Sequence, residues 1–182
     1  MVLKIEMEDL FWGFVRNYVS FGLRPYAKRT TRTNEILGFY SILGKMLGCY
    51  VEYEKDYFDL QWFWGLDDIY DSEPWLHIEH ENSRGRLTEL LKKIEDSYSE
   101  NIVVIGYPKA QEDWDEFLVD VRSLSADMDR TNEILVILNA RKFVQEDVPL
   151  KGYVFRGGKM KSDLEAVVRS MDDGTYYAEA AE

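Results

Sequence analysis

Cysteine and histidine are scarce in this 182-residue sequence, which has one cysteine, Cys49, and two histidines. A single cysteine cannot close a disulfide within the chain, and so few Cys and His residues cannot supply the spaced ligands of a zinc finger. We therefore exclude both scaffolds and expect a reducing, cytoplasmic location. Long apolar runs are also missing, because no stretch approaches the roughly 20 residues that cross a bilayer and residues 1–6 lack the apolar core of a signal peptide. We expect no membrane contact.

Basic residues are few as well. Lys and Arg total 22 against 34 Asp and Glu, which gives a formal net charge of −12. Such a charge excludes nucleic-acid binding by overall charge, so any phosphodiester contact must be local. Hydrophobic residues make up 46% and aromatic residues 14%, which excludes a disordered chain. The length fits a single domain, which we place at residues 1–171 with its core at about residues 34–138, followed by an acidic tail at residues 172–182 that we expect to be flexible.

Hydrophobic periodicity predicts alternating helices and strands. Helices are predicted at residues 5–18, 34–47 (capped by Thr33 or Asn34), 86–98, 114–121 and around 164–168, and strands at residues 50–54, 57–64, 75–81, 101–107, 134–138 and 152–161. The alternation after residue 75 requires parallel strands with crossover helices, whereas the two earlier strands form a hairpin. We predict an α/β domain with a mixed β-sheet flanked by helices.

Acidic residues in two of the predicted strands form the candidate site. Alternate residues of a strand share a face, so Asp59 lies with Gln61, and Glu79 lies with Glu81. If the two strands are neighbours, three carboxylates converge, and a hard divalent cation such as Mg²⁺ or Mn²⁺ relieves their repulsion. The alternative is that these acids belong to the polar, half-exposed faces of strands in an acidic protein.

The order of elements and two short motifs resemble the PD-(D/E)xK superfamily of nucleases over about residues 34–138. The motifs are Tyr57-Phe58-Asp59-Leu60-Gln61-Trp62 and, twenty residues later, Ile78-Glu79-His80-Glu81-Asn82. The resemblance implies a restriction-endonuclease-like core and metal-dependent hydrolysis of phosphodiester bonds in DNA or RNA. It implies that Asp59, Glu79 and the backbone carbonyl of His80 hold Mg²⁺ or Mn²⁺. The implied catalytic residues are Asp59, Glu79 and Glu81, with Glu35 as an accessory acid.

The sequence departs from the superfamily pattern at Glu81, which stands where lysine is usual. A carboxylate there can serve as a general base or as another metal ligand, but it cannot polarise water as lysine does. Lys92 and Lys93 of the following helix could reach back over the sheet instead, although such lysines usually lie on a solvated helix face. The departure leaves open a catalytically inactive binding or regulatory protein with a nuclease fold.

Substrate contacts are predicted at one basic cluster and one amide. The cluster precedes the second helix, whose free backbone N–H groups favour anions, and it consists of Arg24, Lys28, Arg29 and Arg32. Gln61 shares the Asp59 face and is a candidate contact for a phosphate oxygen, whereas we expect His77, on the Glu79 side, to be structural. A basic protein partner at the acidic loop 67–73 and a homodimer also stay open.

Overall fold

One mixed β-sheet forms the centre of the fold in the computed structural model, which describes residues 5–21, 29–55, 58–64, 73–81, 86–128, 132–139 and 148–181. The helices are α1 (Met7–Asn17), α2 (Arg29–Met46), α3 (Leu87–Glu95) and α4 (Gln111–Asp127), with a short 3-10 helix (Tyr18–Phe21) after α1. The strands are β1 (Tyr50–Lys55), β2 (Phe58–Phe63), β3 (Leu76–His80), β4 (Asn101–Gly106), β5 (Glu133–Asn139), β6 (Val148–Arg156), β7 (Lys159–Ser170) and β8 (Tyr176–Ala180).

The eight strands lie side by side in sequence order. β3, β4 and β5 run parallel, and the remaining neighbours are antiparallel. Each parallel connection contains a helix, as parallel pairing requires, with α3 between β3 and β4 and α4 between β4 and β5. The predicted α/β class with a mixed sheet is therefore confirmed.

Helices cover both faces of the sheet. Successive residues of β6 mark the two sides, because a Cβ at Gly152 would meet Phe11 of α1, while the ring of Tyr153 packs against Trp114 of α4. Phe14 of α1 stacks on Tyr40 of α2 at 6.3 Å, so these two helices share one face. α3 and α4 share the other face. β4 and β5 between them are almost entirely buried, which explains their continuous apolar sequence.

Three predictions about the elements are wrong. The helix predicted around residues 164–168 is instead strand β7, because the turn at Gly157 and Gly158, both with positive φ, folds β7 back along β6. The tail predicted to be flexible contains β8, which pairs with β7 over five residues. The second helix begins at Arg29, four residues before the earlier of its two predicted caps. Among the described helices, none has both the length and the hydropathy needed to span a lipid bilayer.

Candidate functional site

The candidate site lies where β2 and β3 separate. The backbone register between the two strands ends at Leu60 opposite Ile78. Beyond that pair two carboxylates take over the hydrogen bonding: the Asp59 N–H donates to Glu79 Oε1 at 2.9 Å, and the His80 N–H donates to Asp59 Oδ2 at 2.8 Å. The reciprocal bonds fix both carboxylates side by side at the carboxyl end of β3, the end of a parallel sheet at which α/β proteins bind ligands.

Each carboxylate keeps one oxygen for another ligand. Asp59 Oδ1 and Glu79 Oε2 make no hydrogen bond in the part of the chain that the structure describes. Glu79 is only 6% exposed and Asp59 is half-buried. The pair therefore presents two oxygen atoms from a site that is largely shielded from water.

Burial and nearby negative charges make both acids hard to ionise. Burial is the largest cause that raises the pKa of Glu79 to about 7, and the Asp59 charge adds to the effect. Burial also raises the pKa of Asp59, and the charges of Glu81 and Glu54 raise it further, while the His80 N–H and Lys93 lower it. A cation between the two carboxylates would favour their ionised forms.

Among the described residues, Lys93 of α3 is the cation that reaches this pair. Its Nζ lies 3.4 Å from Glu79 Oε1 and 5.1 Å from the centre of the Phe58 ring, where the ring face attracts a positive charge. Lys93 lowers the pKa of both acids, although burial outweighs it. Of the two lysines considered from the sequence, Lys93 is the one that reaches back over the sheet, whereas Lys92 is exposed.

The first part of α2 lies against the same end of β3. The imidazole of His80 contacts Thr33 Oγ1 through Nδ1 at 3.2 Å and Tyr107 Oη through Nε2 at 3.0 Å. Thr33 follows the first turn of α2, so the N-terminus of this helix lies at the same end of β3 as the carboxylate pair, on the opposite face of the sheet. Arg29 and Arg32 begin α2 and therefore belong to this region, although their side chains, like Arg24 and Lys28, lie outside the described residues.

The structure brings together fewer of the predicted acids than expected. Asp59 and Glu79 meet, but within the described residues no three side chains of His, Cys, Asp or Glu lie close enough to hold a metal. Glu81 follows the last residue of β3, and its charge raises the pKa of Asp59. Glu35 is exposed and lines a groove with Phe39 that includes neither Asp59 nor Glu79.

Gln61 is not available to a substrate. Its side chain is fully buried, and its Nε2 lies 2.9 Å from Nε2 of His77, the residue opposite it in β3. His77 is also fully buried. Of the acidic segment 67–73, only Glu73 lies within the described residues, and it is exposed.

Sequence reasoning missed Thr33 and Tyr107. Neither residue belongs to a sequence motif, and both contact His80 from other elements of the fold. Tyr107 follows a continuous apolar strand, and a polar aromatic residue at the end of a parallel strand was the available signal. No protein-family model matches this chain, and no curated protein sequence matches it significantly.

Proposed function

We propose that the protein is a metal-dependent phosphodiesterase that acts on DNA or RNA, with Asp59 and Glu79 at its centre. The observation that carries the proposal is the reciprocal pair of hydrogen bonds by which the carboxylates of half-buried Asp59 and buried Glu79 replace the backbone pairing of β2 and β3. A structural role does not require two acids at this position, since neutral side chains could accept the same N–H groups without the cost of burying two charges.

The donor set fits a hard divalent cation. Asp59 Oδ1, Glu79 Oε2 and the carbonyl of His80 are the oxygen ligands that Mg²⁺ or Mn²⁺ would have here, with water completing the shell. Bound there, such an ion supplies Lewis acidity toward a phosphodiester oxygen and lowers the pKa of a coordinated water. The raised pKa of Glu79 is consistent with a carboxylate whose counterion arrives with the ligand.

In this proposal Lys93 polarises the attacking water, which the carboxylate of Glu81 cannot do. Its ammonium is held between the Phe58 ring and Glu79, within reach of the same space as the carboxylates. There it can orient the attacking water and stabilise negative charge on a phosphate oxygen. The N-terminus of α2, with Arg29 and Arg32 in its first turn, supplies local attraction for the phosphodiester backbone in an otherwise acidic protein.

Cleavage assays with two matched lysine variants test the proposal. Single- and double-stranded DNA and RNA are incubated with the protein in Mn²⁺ or in a chelator. We expect Mn²⁺-dependent cleavage of at least one substrate, its loss in Asp59→Asn, and a fall of about a hundredfold or more in Lys93→Met. Lys92→Met, which removes the adjacent exposed lysine, should stay within twofold of wild type.

The same experiment can reject the proposal in two ways. No Mn²⁺-dependent cleavage of any of the four substrates would contradict it, and so would cleavage that Asp59→Asn leaves intact. The second candidate function, an inactive binding or regulatory protein with this fold, is favoured by the lack of a third acidic side chain at the centre among the described residues. That reading predicts nucleic-acid binding without cleavage and equal behaviour of Lys92→Met and Lys93→Met.

A further inference from the structure

A second polar constellation lies beneath the carboxylate pair, on the face of the sheet covered by α3. His77 Nε2 lies 2.9 Å from the Gln61 amide nitrogen, and its Nδ1 lies 2.6 Å from the hydroxyl oxygen of Ser97. Gln61, His77 and Ser97 come from β2, β3 and the segment after α3, so the fold alone brings them together. An imidazole between a hydroxyl and an amide is the arrangement of a serine nucleophile, its base and a group that orients the base.

The orientation of the Gln61 amide determines which ring nitrogen of His77 carries the proton. With Nε2 toward His77, the amide donates to the imidazole, and the buried Oε1 has no hydrogen-bond partner within the described residues. A turn of the amide about its last bond exchanges the two ends without changing its shape. Oε1 then accepts the Nε2–H of His77, and the amide N–H groups face the side of Glu52, which lies opposite Gln61 in β1.

The turned amide leaves Nδ1 of His77 as an acceptor. Ser99 donates its own hydroxyl proton to the carbonyl of Asn101 at 2.6 Å. Among the described residues, the Ser97 proton therefore has two acceptors within reach, Ser99 Oγ at 2.9 Å and His77 Nδ1 at 2.6 Å. Transfer to His77 is the step that a serine nucleophile requires.

Ser97 also opens onto a cavity. Ser97 and Ser99 line a space of about 370 Å³, a volume in the range of small-molecule sites. Apolar side chains of Ile94 and Leu124 form part of its wall. Acidic side chains in the wall of the cavity disfavour anionic ligands. These side chains belong to Glu73, Glu95 and Asp127.

We propose that Ser97 is the nucleophile of a second site, with His77 as its base and Gln61 orienting the imidazole, and that this site takes acyl groups from neutral or cationic carboxylic esters bound in the cavity. In this reaction Ser97 Oγ attacks the ester carbonyl carbon and its proton passes to His77 Nδ1. The bond to the alcohol breaks, and the alcohol leaves with that proton. The acyl group stays on Ser97 until water, activated in the same way, releases it as a carboxylic acid.

One backbone donor is already directed at the reacting oxygen. The Ser99 N–H donates to Ser97 Oγ at 3.3 Å and so helps to hold the Ser97 side chain beside His77. The proposal does not depend on the phosphodiesterase function, because none of Gln61, His77 and Ser97 belongs to the carboxylate centre.

An alkyl fluorophosphonate tests the site in the full-length chain. The probe forms a bond from phosphorus to an activated serine oxygen and loses fluoride. Intact-mass measurement should give one adduct per chain, and peptide mapping should place it on Ser97. We expect the adduct to be absent from Ser97→Ala and unchanged in Ser170→Ala, which alters a serine at the exposed end of β7. Excess p-nitrophenyl acetate should protect Ser97, whereas free acetate should not.

The base and its orienting group have separate tests. His77→Gln should slow labelling of Ser97 by about a hundredfold or more. Gln61→Met keeps the volume of the side chain but cannot accept a hydrogen bond from the imidazole, so it should slow labelling of Ser97 by about tenfold. This variant also tests the proposal if His77→Gln does not fold. The proposal is overturned if no adduct forms, if the adduct lies on another residue, or if folded Gln61→Met labels at the wild-type rate.

Discussion

Replacing Glu79 by glutamine should make the protein less sensitive to pH. The pKa of Glu79 is raised from its ordinary value of 4.5 to about 7, chiefly because the side chain is buried and secondly because Asp59 is charged. The folded state therefore binds the Glu79 proton more tightly than the unfolded state does. The stabilisation is complete below pH 4.5 and is lost as pH rises through 7.

The expected size follows from the two pKa values. At 1.36 kcal/mol per pH unit, a rise from 4.5 to about 7 corresponds to about 3 kcal/mol in the free energy of unfolding, most of which is lost between pH 5 and pH 8. Glutamine keeps an oxygen that can accept the Asp59 N–H but carries no charge at any pH. The wild type should therefore lose about 2 kcal/mol more than Glu79→Gln over this interval.

Urea denaturation at pH 5 and pH 8, at one ionic strength, measures the difference. The comparison between variants cancels the contribution of the titrating groups that do not interact with Glu79, since those groups are common to both proteins. Glu100→Gln is the matched control, because it removes an exposed carboxylate outside the site and should follow the wild type. Equal losses of stability in wild type and Glu79→Gln would refute the idea that a buried, repelled Glu79 limits stability above pH 7.

Two further predictions concern the fold. Gly44→Ala should lower the free energy of unfolding by about 1–3 kcal/mol in urea denaturation, because the added Cβ would lie 2.7 Å from the indole of Trp62. Gly38→Ala is the control: its added Cβ meets nothing within 4 Å, so it should not destabilise the protein. Removal of residues 172–182 should lower the melting temperature by about 5 °C or more, since it deletes β8 and uncovers β7, and an unchanged melting temperature would mean that β8 does not contribute to the sheet.

The central strands were predictable from the sequence because burial on both faces leaves a plain signal. Apart from polar residues at their ends, β4 and β5 are apolar, as is typical of parallel strands covered by helices on both faces. The prediction for β7, in contrast, was wrong. Leu164, Val167 and Val168 have helical spacing, but β7 is largely exposed, so its sequence carries little information about period. Its pairing with β6 decides its structure.

The carboxylate pair was predictable for a geometric reason. Alternation puts Asp59 and Glu79 on the same face as Gln61 and His77, and antiparallel pairing of β2 with β3 then brings the two acids together. The same rule failed for Glu81, because it holds only while the strand continues and β3 ends at His80. The separation of the strands, which admits the side chains into the ladder, is a tertiary feature with no local sequence signal.

The position of Lys93 was only partly predictable from the sequence. Each helical residue advances by about 100°, so with Leu87, Leu90 and Ile94 facing the sheet, Lys92 falls on the far side of α3. Lys93 falls on one flank and Leu91 on the other. Leu91 lines the groove toward α4, so the flank that carries Lys93 faces β2 and the carboxylate pair. Helix phase alone separates the two lysines, but only the position of α4 determines which flank meets the site.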